Sequence, residues 1–137
     1  MEQESYGFKG DLKNTGFGYT LSLIGGKYKM TVLYALYLNN NPIRYNQLKR
    51  MLGNISFKTL TNTLKELEGD QLIHRKEYPQ VPPKVEYSLS EKGLSLIPVL
   101  DAICYWGEEQ LDKKKGRHEA IDLGCLRLNT KQKRLDI

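Results

Sequence analysis

The chain has 137 residues, of which 39% are hydrophobic and 27% are charged, with a formal net charge of +5 at pH 7. This length suits one globular domain with its own core, and no apolar run approaches the roughly 20 residues that span a bilayer. The acidic first residues lack the order of a secretion signal, and two cysteines, which we take as buried thiols, are too few for a disulfide scaffold. We therefore expect a cytoplasmic protein without membrane contact.

The amino-terminal part of the chain predicts an arm and two short helices. Residues 1–18 are rich in glycine and polar side chains and are expected to form a flexible arm. Tyr19–Ile24 predicts a short helix that ends at Gly25-Gly26. Apolar residues at helical spacing predict a second helix from Lys27 to Leu38, and the asparagine-rich sequence at 39–42 predicts a turn.

A second pair of short helices is predicted in the middle of the chain. Residues 44–52 and residues 56–70 both show amphipathic helical spacing. Ser56 is placed to cap the later helix by accepting a hydrogen bond from a backbone N–H of its first turn. Three leucines between residues 60 and 67 recur at i, i+4 and i+7, so that side of the helix is expected to face the core.

Two strands, Leu72–Tyr78 and Val85–Leu89, are predicted from their β-favouring and alternating apolar residues. The segment between them contains three prolines, which lack a backbone N–H and cannot pair regularly in a sheet. The strands and their proline-rich tip therefore predict a stiff β-hairpin.

A long last helix is predicted from Glu91 to Lys113, capped by Ser90 and kinked near Pro98. Its residues from 96 to 106 are apolar on nearly every side, and a small domain can bury only one side of such a helix. The other side is therefore expected to pack against a second copy of the chain. Residues 114–137 are expected to form a basic tail.

Basic residues are concentrated in one stretch of the chain. From Lys27 to Lys65 there are seven lysines and arginines and no acidic residue, which favours binding to a polyanion. Short helices followed by a hairpin predict a mainly α fold with a small β-hairpin (α+β), the winged helix-turn-helix. The helix beginning at Ser56 would lie in the major groove of DNA, and the hairpin would lie as a wing on the flanking backbone.

We predict DNA contacts from the helix pair and from the wing. Lysine and arginine suit phosphates or guanine, asparagine suits adenine, and threonine methyl groups suit thymine. The predicted contacts are Arg44, Ser56, Phe57, Lys58, Thr59, Thr61, Asn62 and Lys65 in the helix pair and Arg75, Lys76 and Lys84 in the wing. The spacing of Phe57 from Leu60 favours a place in the core, and the alternative is an exposed ring that contacts a base methyl group. Glu77 opposes phosphate binding by the wing.

Two other classes of function were weighed against DNA binding. A winged helix that serves as a protein-interaction module would present an apolar recognition face, whereas this face is basic and rich in hydroxyl groups. The sequence does not indicate an enzyme or a metal site. The spacing of His74, Cys104, His118 and Cys125 matches no known set of metal ligands. We expect no catalysis, no metal and no cofactor.

Several segments in order closely resemble the HxlR family of bacterial regulators. They are 23–29 (LIGGKYK), 44–50 (RYNQLKR), 55–60 (ISFKTL), 64–68 (LKELE), 78–89 (YPQVPPKVEYSL) and 96–100 (LIPVL). The resemblance extends from about residue 19 to residue 108 and implies a homodimeric winged helix-turn-helix transcription factor, with a domain that we place at 19–113. Members pair through their first and last helices. The interface expected here comprises Tyr19, Leu23, Leu96, Leu100, Ile103, Cys104 and Trp106.

The sequence departs from the family pattern at two places. Many members carry a Cys-Pro pair before the first helix, where this chain has Asn14-Thr15-Gly16, so the usual redox switch is not expected. Members commonly begin the recognition helix with Gln-Lys, where this chain has Phe57-Lys58, so its base preference is expected to differ. The partners expected are a two-fold-related operator in duplex DNA and a second copy of the chain, and a small-molecule effector is left open.

Overall fold

The computed structural model describes residues 12–115, with the backbone alone at Lys13 and Lys115. These residues form two compact units, one extending to Gly93 and the other beginning at Leu94. After a 3-10 turn at Leu12–Asn14, the elements in chain order are α1 (Gly16–Ile24), α2 (Lys29–Asn39), β1 (Ile43–Arg44), α3 (Tyr45–Leu52), α4 (Phe57–Gly69), β2 (Ile73–Tyr78), β3 (Lys84–Leu89) and α5 (Glu91–Lys115). This order confirms the predicted mainly α fold with a small β-hairpin.

Helix α1 begins three residues earlier than predicted because Thr15 caps it. The Thr15 hydroxyl accepts a hydrogen bond from the backbone N–H of Gly18 at 2.9 Å, which satisfies a donor of the first turn. The last residues of the segment that we assigned to a flexible arm are therefore helical. The rest of the predicted arm, residues 1–11, lies outside the described residues.

Helix α4 has the start and the buried side that the sequence predicts. The Ser56 hydroxyl accepts a hydrogen bond from the backbone N–H of Thr59 at 3.1 Å, and it also lies 3.0 Å from the Thr59 hydroxyl. Leu60, Leu64 and Leu67 are buried. Other side chains fully buried in this unit are Val32, Leu33, Ile43, Leu48, Ile55 and Leu72. Helix α2 packs against α3, α4 and β3, so the core holds the helix pair on the sheet.

The hairpin is joined by a third strand that the sequence analysis did not predict. The antiparallel sheet has the order β1-β3-β2, with β2 and β3 paired from Ile73 opposite Leu89 to Tyr78 opposite Lys84. In β1, Ile43 pairs with Tyr87 and Arg44 with Glu86. Arg44 therefore belongs to a strand and precedes α3 instead of starting it. The prolines lie in the loop between β2 and β3, as predicted for the tip of the wing.

The start of α5 lies against the turn that follows α4. The Ser90 hydroxyl accepts from the backbone N–H of Gly93 at 3.0 Å, which confirms the predicted cap, and donates to the carbonyl oxygen of Gln71 at 2.7 Å. A Cβ atom at Gly93 would collide with the carbonyl oxygen of Leu72. Glycine is therefore required at this position.

We expect Gly93→Ala to destabilise the folded state by about 1–3 kcal/mol, because the added methyl group meets backbone that cannot rotate away. Gly69→Ala is the matched control, since a Cβ atom at Gly69 has no atom within 4 Å among the described residues. Thermal unfolding of both variants measures the effect. Equal melting temperatures for Gly93→Ala and the natural protein would show that the backbone at Leu72 moves to accommodate the methyl group without loss of stability.

The second unit is formed by α5 from Leu94 onwards. The helix continues through Pro98 and extends two residues beyond its predicted end. Ile97 and Leu100 are buried, whereas Val99, Ile103 and Trp106 are 42%, 49% and 69% exposed. In the part of the chain that the structure describes, no helix is both long enough and apolar enough to pass through a membrane.

Candidate nucleic-acid interface

The outer face of α4 carries most of the predicted DNA contacts. Its exposed members are Ser56, Phe57, Lys58, Thr61, Asn62 and Lys65, and Thr59 is half-buried. The buried leucines occupy the opposite side of the helix, so this polar face is held outward by the core. The structure therefore brings the predicted contact residues of α4 together on one exposed surface.

Phe57 is exposed, so the interpretation that placed it in the core is wrong. Its side chain is 61% exposed, whereas Leu60 and Ile55 on either side in sequence are buried. Phe57 is the first residue of α4 and extends past the end of the leucine stripe. Its ring lies over Tyr45 instead, with the ring centroids 6.1 Å apart and the planes 9° from parallel.

Tyr45 and Lys49 of α3 belong to this surface, although the sequence analysis did not include them. The Tyr45 hydroxyl donates to the carbonyl oxygen of Phe57 at 3.1 Å and lies 3.0 Å from the Thr61 hydroxyl. The Lys49 ammonium lies 4.5 Å from the centroid of the Phe57 ring. The sequence indicated this surface only through its two aromatic residues, Tyr45 in α3 and Phe57 in α4.

Three of the predicted cationic contacts, Arg44 in β1 and Lys58 and Lys65 in α4, are available to an external partner. Among the described residues, no carboxylate lies within ion-pair distance of Arg44, Lys58 or Lys65, and all three are exposed. Glu66, the first acid of α4, is 3.6 Å from the Lys29 ammonium. The electrostatic character of the outer face is therefore positive.

Two lysines of the predicted wing make contacts within the hairpin. The Lys84 ammonium lies 3.5 Å from a Glu86 carboxylate oxygen and 4.5 Å from the centroid of the Tyr78 ring. Tyr78 donates its hydroxyl proton to the other carboxylate oxygen of Glu86 at 3.0 Å. The Lys76 ammonium is 5.0 Å from the same ring. Glu86 thus neutralises part of the positive charge of the wing.

Arg75 is also engaged within the sheet. A hydrogen bond with the Tyr87 side chain is the main cause that raises the pKa of the Arg75 guanidinium, and Glu77 adds to it. The distance from Arg75 Nη1 to Glu77 Oε1 is 3.4 Å. The guanidinium is charged at every working pH, so the role of these contacts is to orient it. Glu77 therefore lies where it could compete with a phosphate for Arg75, and its effect on DNA binding stays a prediction.

The residues predicted for the dimer interface differ in exposure. Tyr19, Ile103 and Trp106 are exposed, Leu96 and Cys104 are half-buried, and Leu23 and Leu100 are buried within the single chain. The Tyr19 hydroxyl accepts a hydrogen bond from the Lys92 ammonium at 3.0 Å. The Cys104 thiol donates a hydrogen bond to Glu108 Oε2 at 3.7 Å. Cys104 is half-buried, whereas we expected a buried thiol.

Residues 12–115 contain no group of three histidine, cysteine or acidic side chains arranged to hold a metal ion. His74 is exposed on β2. His118 and Cys125, the other two residues considered for a metal site, lie outside the described residues.

Comparisons with known proteins agree with this geometry. The sequence model of the HxlR-like helix-turn-helix family matches residues 23–115. The helix-turn-helix-type transcriptional regulator BH0655 of Halalkalibacterium halodurans is 58% identical over 103 residues, which cover 73% of this chain and 90% of that relative.

Two solved structures have the same fold. One is the helix-turn-helix-type transcriptional regulator ytcD, with 45% identity, a TM-score of 0.67 and coverage of 72% of this chain and 98% of that one. The other is the redox regulator HypR in its reduced form, with 39% identity, a TM-score of 0.68 and coverage of 74% and 99%. The fold is that of the winged helix-turn-helix transcriptional regulators, which are not enzymes. The chain belongs to the HxlR family.

Proposed function

We propose that the protein is a sequence-specific DNA-binding regulator that acts as a homodimer. Helix α4 lies in the major groove, and the wing lies on the flanking backbone. The observation that carries this proposal is the outer face of α4, which contains no acidic residue from Phe57 to Lys65. This face exposes Thr61, Asn62 and two lysines that have no ion-pair partner within residues 12–115. This composition suits phosphates and base edges.

The contacts divide by their chemistry. Lys58 and Lys65 neutralise phosphates and supply affinity that does not depend on sequence. Asn62 and Thr61 face base edges and supply discrimination. Arg44 and Lys76 add cations next to the helix pair and in the wing, whereas Lys84 and Arg75 contribute less because Glu86 and Glu77 lie beside them.

Exposed apolar side chains on α5 support the dimer. Val99, Ile103 and Trp106 follow each other at i, i+4 and i+7, so they share one side of the helix. On α1, Phe17 and Tyr19 are also more than half exposed. Soluble monomers rarely leave a large contiguous apolar patch in water. A two-fold pairing would cover these side chains and present two α4 helices to half-sites about one helical turn apart.

The relatives support the regulatory role and a cytoplasmic location. BH0655 and ytcD are named as helix-turn-helix-type transcriptional regulators, and a regulator of this kind acts where the chromosome is.

The proposal is tested by selecting bound sites from random duplexes. We expect enrichment of one sequence with two-fold symmetry in the natural protein. Asn62→Ala should relax the preference at one position of each half-site, and Glu68→Ala, a change at an exposed position near the other end of α4, should leave it unchanged. Recovery of no enriched sequence would overturn the specific-regulator proposal.

The chain is expected to lack the amino-terminal thiol switch, although HypR is named as a redox regulator. Asn14 and Thr15 precede α1, and Cys104 is half-buried beside Glu108. Diamide treatment should therefore leave operator affinity unchanged in the natural protein and in Cys104→Ser, as measured by fluorescence anisotropy. The expectation would be contradicted if diamide abolished DNA binding, reductant restored it, and Cys104→Ser removed this sensitivity.

A further inference from the structure

One aromatic side chain interrupts the polar outer face of α4. Phe57 is 61% exposed at the first position of the helix, between Ser56 and Lys58, which are also exposed. Burial does not explain an aromatic residue here. In the proposed complex, the first turn of the recognition helix is the part that lies over base edges.

The Phe57 ring is held in place. Tyr45 stacks on it with nearly parallel planes, and the Tyr45 hydroxyl donates to the carbonyl oxygen of Phe57 itself. The same hydroxyl lies 3.0 Å from the Thr61 hydroxyl one turn further along α4. Tyr45 therefore fixes both the ring and the backbone that carries it. A ring ordered before binding loses little conformational entropy when a ligand arrives.

The surroundings of the ring indicate the chemistry of its partner. The Lys49 ammonium lies 4.5 Å from the ring centroid, and Lys58 follows directly in sequence. An aromatic ring beside two cations suits a ligand that offers one apolar group close to negatively charged groups. The thymine 5-methyl group in the major groove is such a group, because phosphates border it on both strands.

We propose that Phe57 determines specificity by contacting the 5-methyl group of one thymine in each half-site, and that Tyr45 is the residue that positions it. This inference rests on the proposed function, since it requires α4 to lie in the major groove. It assigns the discrimination at one base pair to the apolar contact of Phe57, separate from the polar contact of Asn62.

The test uses the full-length protein and the operator recovered by selection. Each thymine of the operator is replaced in turn by deoxyuridine, which lacks only the methyl group. At one symmetric position we expect affinity to fall about fourfold when one half-site is substituted and about fifteenfold when both are, which is the effect of removing a buried methyl group. At the other positions the affinity should stay unchanged.

Two variants assign the effect to the aromatic pair. In Phe57→Ala, the ratio of affinities for thymine and deoxyuridine operators should fall to one at the sensitive position, whatever the overall affinity. Tyr45→Leu should lower the ratio as well, because the stack and the hydroxyl bonds are lost. Tyr45→Phe keeps the ring and should retain most of the ratio.

The outcomes separate this inference from the function on which it rests. If an operator is found but no deoxyuridine position changes affinity, the thymine contact is wrong and the regulator function stands. A ratio in Phe57→Ala equal to that of the natural protein would likewise overturn the contact. If no operator is enriched, both proposals fail.

Discussion

Ile103→Asp is expected to convert the protein to a monomer and to abolish specific DNA binding. Ile103 is 49% exposed in the single chain and lies between Val99 and Trp106 on one side of α5. Burying an unpaired carboxylate in a dimer contact costs about 3 kcal/mol or more. Light scattering of the variant should give the mass of one chain, 15.8 kDa, and the natural protein should give twice that mass.

Met51→Asp is the matched control for this experiment. Met51 is 46% exposed at the end of α3, so the chemical change and the starting exposure are close to those of Ile103→Asp. We expect this control to remain dimeric. The folded Ile103→Asp monomer should bind DNA only at the weak level common to all sequences. A folded Ile103→Asp protein that stays dimeric would place the interface elsewhere.

Lys58→Glu is expected to lower operator affinity on the order of 100-fold, because each half-site loses a cation and gains an anion that faces phosphate. Lys113→Glu makes the same change in net charge on α5 and should have a small effect. Wild-type operator affinity in Lys58→Glu would remove Lys58 from the interface.

The salt dependence of operator affinity in alanine variants distinguishes Lys58 of α4 from Lys84, which is paired within the wing. Lys58→Ala should reduce the slope of the log–log salt plot by about one unit for each half-site. Lys84→Ala should reduce it less, because the Lys84 ammonium is already 3.5 Å from Glu86. Equal reductions would show that Lys84 leaves Glu86 when DNA binds.

Local patterns in the sequence predicted most of the fold. The leucine stripe of α4, the Ser56 and Ser90 caps and the proline-rich tip are features of neighbouring residues, and all are present in the structure. The Thr15 cap is local too and could have been predicted. Strand β1 could not, because its two residues are too few for a pattern and pair with residues more than 40 positions later.

The errors at the candidate site have the same origin. Phe57 fits the helical spacing of the core, but the spacing does not say where the core ends, and Tyr45, twelve residues earlier, covers one side of its ring. Lys84 was identified as a cation from its type alone. Its proximity to Glu86, two residues along the same strand, is local, but the Tyr78 ring that contacts both residues comes from β2 through the antiparallel pairing. Contacts that depend on tertiary packing are therefore the ones that the sequence leaves open.

The ratio of affinities for the selected operator and for a scrambled duplex of equal length tests the central proposal most directly. Measured with the natural protein at one fixed salt concentration near the physiological value, this ratio removes the phosphate contribution that both duplexes share. We predict a ratio of about 1,000 or more, as is typical of sequence-specific regulators. A ratio close to one would contradict the proposal that α4 reads a base sequence.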